Sequence, residues 1–270
     1  MILDPTDIQG FVLRGYTFPV ARFYFLEIFA HQSARELVGR LAQEITTGER
    51  WDKKPTSTLN IAFSYHGLAQ LKIPEASLQT FPVEFVQGMK ARAAVLCDTG
   101  KNAPEHWDSV WREQRVHLWL GVYAASEAVL ESRCEQLQQL LASSQGGRVL
   151  GTQDASAVTI DGQITTKEHF GYTDGFGNPD YLGIQRDTQP GQGKLTPDGS
   201  WVPLATGELL LGYPDESGEL PAAPVPHQLA NNGTFMVYRK LHQNVATFRR
   251  YLRQNGQFYG GGEEKLAAKS

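Results

Sequence analysis

One stretch in the middle of the chain combines an acid with several glycines and an Asn-Pro turn. It runs from Glu168 to Pro179, reads EHFGYTDGFGNP, and places Asp174 directly before Gly175. Because glycine has no Cβ, it lets the backbone come close to another object, and a flat cofactor is one such object. Held there, an aspartate could exchange protons at the face of that object. The alternative is an ordinary surface turn, because Asp and Gly are both common turn residues.

Other catalytic patterns give no comparable signal. The sequence has no nucleophile elbow, phosphate loop or HExxH motif. Glu168 and Asp174 are near enough in sequence to form a glycosidase-type carboxylate pair, an alternative that the sequence leaves open. Of the two late histidines, His242 is predicted to be solvated and His227 to be an exposed loop residue, with a metal-ligand role for His227 as the alternative. His169 is predicted to form structural hydrogen bonds.

Composition narrows the class of protein. The chain has 270 residues, of which 41% are hydrophobic and 20% charged, and this size and composition predict one large or two moderate globular domains. A net charge of -4 argues against nucleic-acid binding. No run of about twenty apolar residues predicts a membrane span, and no signal peptide is visible, so we expect a cytoplasmic protein. The two cysteines, Cys97 and Cys134, make no disulfide framework.

Hydrophobic periodicity predicts an α+β fold. The order strand, helix, strand, helices, strand, helix, strand matches the split β-α-β, ferredoxin-like plan, with helices on one face of an antiparallel sheet. We predict a ferredoxin-like N-terminal half over residues 1–165 and an incomplete second half of the same kind over 166–270. Ser33 is predicted to cap the first long helix. The strands are predicted at 20–30, 57–64, 116–124, 148–159, 207–213 and 234–238, and the helices at 81–96, 126–142 and 241–254.

Several segments resemble the dye-decolorizing peroxidase family. The central one is Gly171-x-x-Asp174-Gly175, which is similar to the signature of that family. The matching segments follow one another in order and together cover nearly the whole chain. They include Ile8-Gln9-Gly10, Leu59–Leu68, Phe81–Met89, Asp98-Thr99-Gly100, Gly207–Tyr213 and Asn232–Phe235.

This resemblance implies a heme-dependent peroxidase that binds heme b, reduces hydrogen peroxide and oxidizes bulky dyes or phenolic donors. It implies that Asp174 is the acid–base group on the distal side of the heme. By the same resemblance, Gly175, Phe176 and Gly177 line the cofactor.

One departure from the family pattern concerns the ligand of the heme iron. Long-form members bind the heme iron through a histidine. In those members this histidine and a distal arginine lie beyond the segment that matches the end of this chain. The metal ligand here is therefore unknown. We therefore expect a complementary C-terminal segment or a second chain, and a homo-oligomer is possible. The alternatives are a non-catalytic heme-binding or assembly module on the same fold, or an inactive fragment.

Overall fold

The computed structural model describes residues 3–175, 178–184, 187–256 and 258. The chain divides into two compact units. The first comprises Met1–Ser156 with Gly177–Met236, and the second comprises Ala157–Phe176 with Val237–Ser270. The predicted domain boundary after residue 165 stays a prediction.

A four-stranded antiparallel sheet forms the center of the first unit. Its strands are β1 (Val20–Ile28), β2 (Ser57–Phe63), β3 (Leu118–Ala124) and β4 (Gly147–Ser156). They lie side by side in the order β2-β3-β1-β4, and every neighboring pair is antiparallel. This is the strand order of the ferredoxin-like plan, so the predicted α+β fold is confirmed.

Two helices cover one face of this sheet. They are α2 (His31–Ala42) and α7 (Glu127–Ser144), and they bury Leu41, Leu137 and Cys134 against the strands. Burial of these apolar side chains is the main stabilizing contribution of the unit. The strand residues that meet them are Val20, Tyr24, Leu26, Ile28, Leu59, Ile61, Leu118, Leu120, Val122 and Ala124.

The starts of the two long helices differ from each other. The Ser126 side chain accepts a hydrogen bond from the N–H of Val129 at 3.4 Å, so α7 begins with a side-chain cap. The prediction that Ser33 caps α2 was wrong. The N–H of Ala34 already donates to the carbonyl of Ala30 at 2.8 Å, and this bond closes the first helical turn before a cap at Ser33 could form.

Short elements complete the first unit. One of them is kinked, because Gly88 adopts φ 66° within the predicted helix at 81–96. The helices are α1 (Gly10–Leu13), α3 (Tyr65–Gln70), α4 (Glu75–Leu78), α5 (Val83–Ala91) and α6 (Ser109–Arg112), and a small hairpin joins β7 (Lys194–Leu195) to β8 (Trp201–Val202).

Two predicted strands of the second half are not strands. Residues 207–213 form part of a 3-10 helix followed by turns, and residues 234–238 lie outside any strand. The two segments do meet, since the N–H of Asn232 donates to the carbonyl of Leu211 at 3.2 Å. Gly212 at φ 92° and Asn232 at φ 61° turn the backbone away from an extended path at this point, so a ladder does not propagate.

The second unit contains one hairpin and one helix among its described residues. The hairpin joins β5 (Thr159–Ile160) to β6 (Gln163–Ile164), and the helix is α8 (Val245–Gly256). The predicted helix at 241–254 is thus present but begins at Val245. Across the residues that the structure describes, no helix has the length and hydropathy that crossing a membrane requires.

Candidate functional site

Asp174 follows a tight turn in the second unit. Lys167 and Thr173 form an antiparallel bridge, and the N–H of Asp174 donates to the carbonyl of Thr166 at 2.9 Å. Gly171 turns the tip with φ 104°, a conformation that favors glycine. These contacts fix the backbone position from which the Asp174 side chain projects.

The carboxylate of Glu168 organizes the same turn. It accepts hydrogen bonds from the backbone N–H of Phe170 at 2.7 Å, from that of Tyr172 at 2.9 Å, and from Nε2 of Gln243 at 2.8 Å. Desolvation raises the pKa of Glu168, but these donors together outweigh it and hold the pKa below its ordinary value. Because both carboxylate oxygens serve the turn, Glu168 is a poor partner for Asp174 in a glycosidase-type pair.

An aromatic contact ties the turn to α8. The ring of Phe248 lies 4.7 Å from that of Phe170 and 6.0 Å from that of Tyr172, measured between centroids. Sequence reasoning missed both Phe248 and Gln243 as parts of this site. No local signal identifies them, because Gln243 lies 75 positions from Glu168.

Asp174 itself is exposed. Its Oδ1 accepts a hydrogen bond from the N–H of Gly175 at 2.7 Å, and Gly175 adopts φ 86°. Of the predicted site residues, the structure thus describes an oriented acid and the glycine next to it. The other two, Phe176 and Gly177, lie outside the described residues.

The described residues leave space for a flat cofactor beside the turn that carries Asp174. A Cβ added to Gly171 would meet no heavy atom within 4 Å, so this edge of the backbone is open to an approaching ring system. The histidines do not identify an iron ligand, since His169, His227 and His242 are all exposed. Within the described ranges, no group of three or more His, Cys, Asp or Glu side chains could hold a metal ion.

The comparisons with known proteins agree on one family. Residues 7–153 match the family model for the DyP dimeric alpha+beta barrel domain. A dye-decolorizing peroxidase of Mycena epipterygia is 28% identical over 260 residues, which cover 93% of this chain and 44% of that protein.

Solved structures agree with that match. The structure of an ancestral D-type dye-decolorizing peroxidase superimposes with a TM-score of 0.78 at 26% identity, covering 95% of this chain and 53% of that one. A dye-decolorizing peroxidase in complex with 2,6-dimethoxyphenol gives a TM-score of 0.75 at 25% identity, covering 94% and 53%. The chain therefore spans about half the length of the relatives it matches.

Proposed function

Because the chain belongs to the dye-decolorizing peroxidase family, we propose that it forms part of a heme-dependent peroxidase that reduces hydrogen peroxide and oxidizes bulky dyes or phenolic donors. The observation that carries this proposal is the exposed, hydrogen-bonded carboxylate of Asp174 on an open turn rich in glycine. The carboxylate of Glu168 fixes the backbone from which Asp174 projects, so the acid is held in one position on the turn.

In this proposal Asp174 is the acid–base group. Its carboxylate takes one proton from the bound peroxide and returns it to the oxygen that leaves. A side chain positioned for such a transfer typically contributes a factor of about 10²–10⁴ to the rate. The N–H of Gly175 donates to Oδ1 at 2.7 Å, and in this proposal the proton would move through the other oxygen, Oδ2.

Heme b is the cofactor that the proposal requires. When bound, it would supply the redox chemistry that peroxide reduction needs. Gly175, Phe176 and Gly177 would lie against it next to Asp174. We propose that the ligand to the heme iron would come from polypeptide outside these 270 residues, as a complementary C-terminal segment or a second chain.

The donor is proposed to be aromatic. A relative of similar fold was solved with 2,6-dimethoxyphenol, a phenolic donor, and this supports the same class of donor here. A homo-oligomer is compatible with this function, and neither a nucleic acid nor a membrane is needed for it.

Optical spectroscopy on the chain, alone and together with its complement, tests the proposal. We expect a Soret band of bound heme with the complement, and a rapid change in that band when peroxide is added. Heme uptake without any response to peroxide would instead identify a non-catalytic heme-binding module. No heme uptake under either condition would overturn the proposed cofactor.

A further inference from the structure

One side of α8 carries three arginines, Arg249, Arg250 and Arg253, which together form its arginine face. All three side chains are exposed. Because successive residues of an α-helix are turned by about 100°, these side chains leave the helix within an arc of about 100°. The side chains that α8 packs inward, among them Phe248 and Leu252, lie outside this arc. The packed side of the helix and the arginine face are therefore separate surfaces.

The arginine face is not neutralized within the part of the chain that the structure describes. There Arg249 and Arg253 form no ion pair, and Arg250 donates only to Oγ1 of Thr247, at 3.5 Å. Arg249 and Arg253 are four residues apart, and like charges at this spacing repel each other on a helix. An acidic surface placed against the arginine face would offset that repulsion.

The charge of this segment contrasts with that of the whole chain. Residues 237–258 contain five basic side chains and no acidic one, whereas the chain as a whole has a net charge of -4. The excess of acidic side chains therefore lies elsewhere in the sequence. Because surfaces of opposite charge attract each other and disfavor wrong partners, the arginine face is suited to an acidic partner.

An acidic surface of matching form lies on α7 in the first unit. Glu127, Glu131 and Glu135 recur every four residues along that helix, and all three are exposed. This spacing places them on one side of the helix over a length of about 12 Å, as a continuous acidic row. The acidic row is thus long enough to cover the arginine face, whose outer members are about 6 Å apart along α8.

A surface cavity lies between the acidic row and β4. Its volume is about 150 Å³, and it is lined by Ala21, Glu127, Leu130, Asp154, Ala155 and Ser156. Nε of Arg22 donates to Oδ1 of Asp154 at 2.6 Å, and Nη2 of the same guanidinium donates to Glu131 at 2.9 Å. One positive charge is therefore shared by two carboxylates, and Glu127 adds a third negative charge at the wall of the cavity.

We propose that the arginine face of α8 docks on the acidic row of α7 in a second copy of this chain, with one arginine side chain entering the cavity beside Glu127. Both surfaces belong to the same polypeptide, and their opposite charges identify the second copy as the partner. This inference does not depend on the proposed peroxidase function.

A lipid surface fits the arginine face less well than a second copy does. A helix that lies in a membrane interface buries its apolar side among the lipids. In α8 that side is already used, because Leu252 is only 8% exposed and the ring of Phe248 lies 4.7 Å from that of Phe170. Only the charged side is left for a partner, and it fits a solid acidic surface.

The association is expected to be weak and sensitive to salt. An exposed ion pair contributes little by itself, so several pairs have to form together. Salt screens exposed charges, and the wild-type chain should therefore associate with itself at low ionic strength and separate at high ionic strength. Sedimentation velocity of the 270-residue chain in about 20 mM and about 500 mM salt measures this change.

The first test reverses the charge of the arginine face. The double variant Arg249→Glu with Arg253→Glu keeps good helix formers on α8, and we expect it to weaken self-association several-fold at low salt. The matched control, Arg40→Glu with Arg50→Glu, changes the net charge equally at two exposed arginines outside α8 and should associate as the wild type does. A wild type that stays monomeric at low salt, or an equal response in both double variants, would overturn the proposal.

The second test restores the contact by exchanging the charges. Glu127→Arg with Glu135→Arg should also weaken self-association, since it places positive charge opposite the arginine face. A mixture of this variant with the α8 double variant should associate again, because each contact between the two then joins opposite charges. Circular dichroism of both variants confirms that they are folded. A mixture that associates no better than either variant alone would overturn the docking of α8 on α7.

A third measurement separates a second copy from a lipid. The wild-type chain is sedimented with vesicles of phosphatidylcholine that contain phosphatidylserine, at the same low salt. We expect self-association of the free chain and no enrichment of the chain on the vesicles. Binding to the vesicles by a chain that is monomeric in solution would overturn the proposal and identify anionic lipid as the partner of the arginine face.

Discussion

Gln243 and Glu168 are joined by a hydrogen bond across 75 positions of the sequence, with Nε2 of the amide donating to Oε2 of the carboxylate at 2.8 Å. The bond attaches the turn before Asp174 to the segment that leads into α8. The same carboxylate accepts two backbone N–H groups of the turn. One side chain thus sets both the shape of the turn and its attachment, and for that reason the turn depends on the charge of Glu168.

Protonation of Glu168 is expected to loosen the turn. The pKa of Glu168 in the folded protein is below its ordinary value of 4.5. The stabilization is therefore fully present above pH 4.5 and is lost as the pH falls through the pKa of the folded protein. We expect the amide protons of Phe170 and Tyr172 to lose protection against hydrogen exchange over that acidic range. Correction for the intrinsic exchange rate at each pH is required.

The variant Glu168→Gln provides the test of that titration. An amide oxygen is a weaker acceptor than a carboxylate and does not titrate, so protection of both amides should be low already at neutral pH and should not vary in acid beyond the intrinsic rate. Gln243→Ala is the matched control, because it removes the long-range bond and keeps both backbone bonds. Unchanged protection in Glu168→Gln would show that the carboxylate does not organize the turn.

Substitution of Asp174 is expected to separate peroxide chemistry from cofactor binding. In the complete heme protein, Asp174→Ala should retain heme and slow the reaction with peroxide by about two decades or more, the usual scale for loss of a general acid–base group. Asp174→Asn should be nearly as slow, because it keeps the size of the side chain and removes the proton acceptor. Stopped-flow absorbance of the Soret band measures both effects.

Asp161→Asn is the control for Asp174. Asp161 is also exposed, lies in the same unit and follows a strand, so it tests whether loss of any nearby surface charge has the same effect. Asparagine tolerates its φ of 49°, and this variant should react with peroxide as the wild type does. A normal rate in Asp174→Asn would exclude the acid–base role.

The sequence was sufficient to predict the sheet of the first unit, because its strands alternate in burial or are apolar throughout and its long helices are amphipathic. On β3, Leu118, Leu120 and Val122 are buried under the helices and Trp119 is buried on the other face, so this strand is apolar throughout. The strands predicted at 207–213 and 234–238 failed because a strand needs a partner along its length, and apolar composition cannot tell whether one exists. The contact between Gln243 and Glu168 was equally out of reach, since nothing local links residues so far apart.

The sequence motif located the turn before Asp174, but it did not reveal the side-chain contacts that shape this turn. Glycines at 171 and 175 indicated unusual backbone conformations, and both adopt positive φ. The assignment of Asp174, Gly175, Phe176 and Gly177 to the site rests on the family resemblance and stays a prediction. The role of Glu168 in the turn was missed because a side chain that accepts backbone N–H groups two and four residues onward leaves no periodic pattern.

A second carboxylate, Glu27, is expected to stabilize the sheet of the first unit in a pH-dependent way. Arg115 donates to it through two nitrogens at 2.8 and 2.6 Å, and Arg148 donates at 2.7 Å. Hydrogen bonding by Arg115, and less so by Arg148, outweighs desolvation and lowers the pKa of Glu27 to about 2. Because the pKa of Glu27 is lower in the folded protein, this stabilization is complete above pH 4.5 and is lost as the pH falls from 4.5 to about 2.

Glu27→Gln should lower the free energy of unfolding by about 1 kcal/mol at neutral pH, a discounted value because both arginines are partly exposed to solvent. The difference from the wild type should shrink as the pH approaches 2 and is measured by denaturant unfolding at several pH values. Glu113→Gln is the control, since its side chain is 67% exposed beside the same Arg115 and should have little effect. A difference independent of pH would attribute the loss to packing rather than charge.

Gly121 on β3 leaves space that the Trp119 ring occupies. A Cβ at this position would lie 2.2 Å from Cη2 of that ring. The ring is held on both sides, with centroids 5.8 Å from Phe11 and 5.5 Å from Phe23, so it cannot move aside without disturbing its neighbors. We expect Gly121→Ala to lower the free energy of unfolding by about 1–3 kcal/mol, the usual scale of overpacking.

The control for Gly121 is the same substitution at Gly39, inside α2, where a Cβ would meet nothing within 4 Å. Gly39→Ala should raise the free energy of unfolding by about 0.5–1 kcal/mol, because alanine favors a helix interior over glycine. Urea denaturation measures both variants, and near-UV circular dichroism reports the environment of the Trp119 ring. If Gly121→Ala leaves both the stability and that spectrum unchanged, the Trp119 ring does not occupy the space over Gly121.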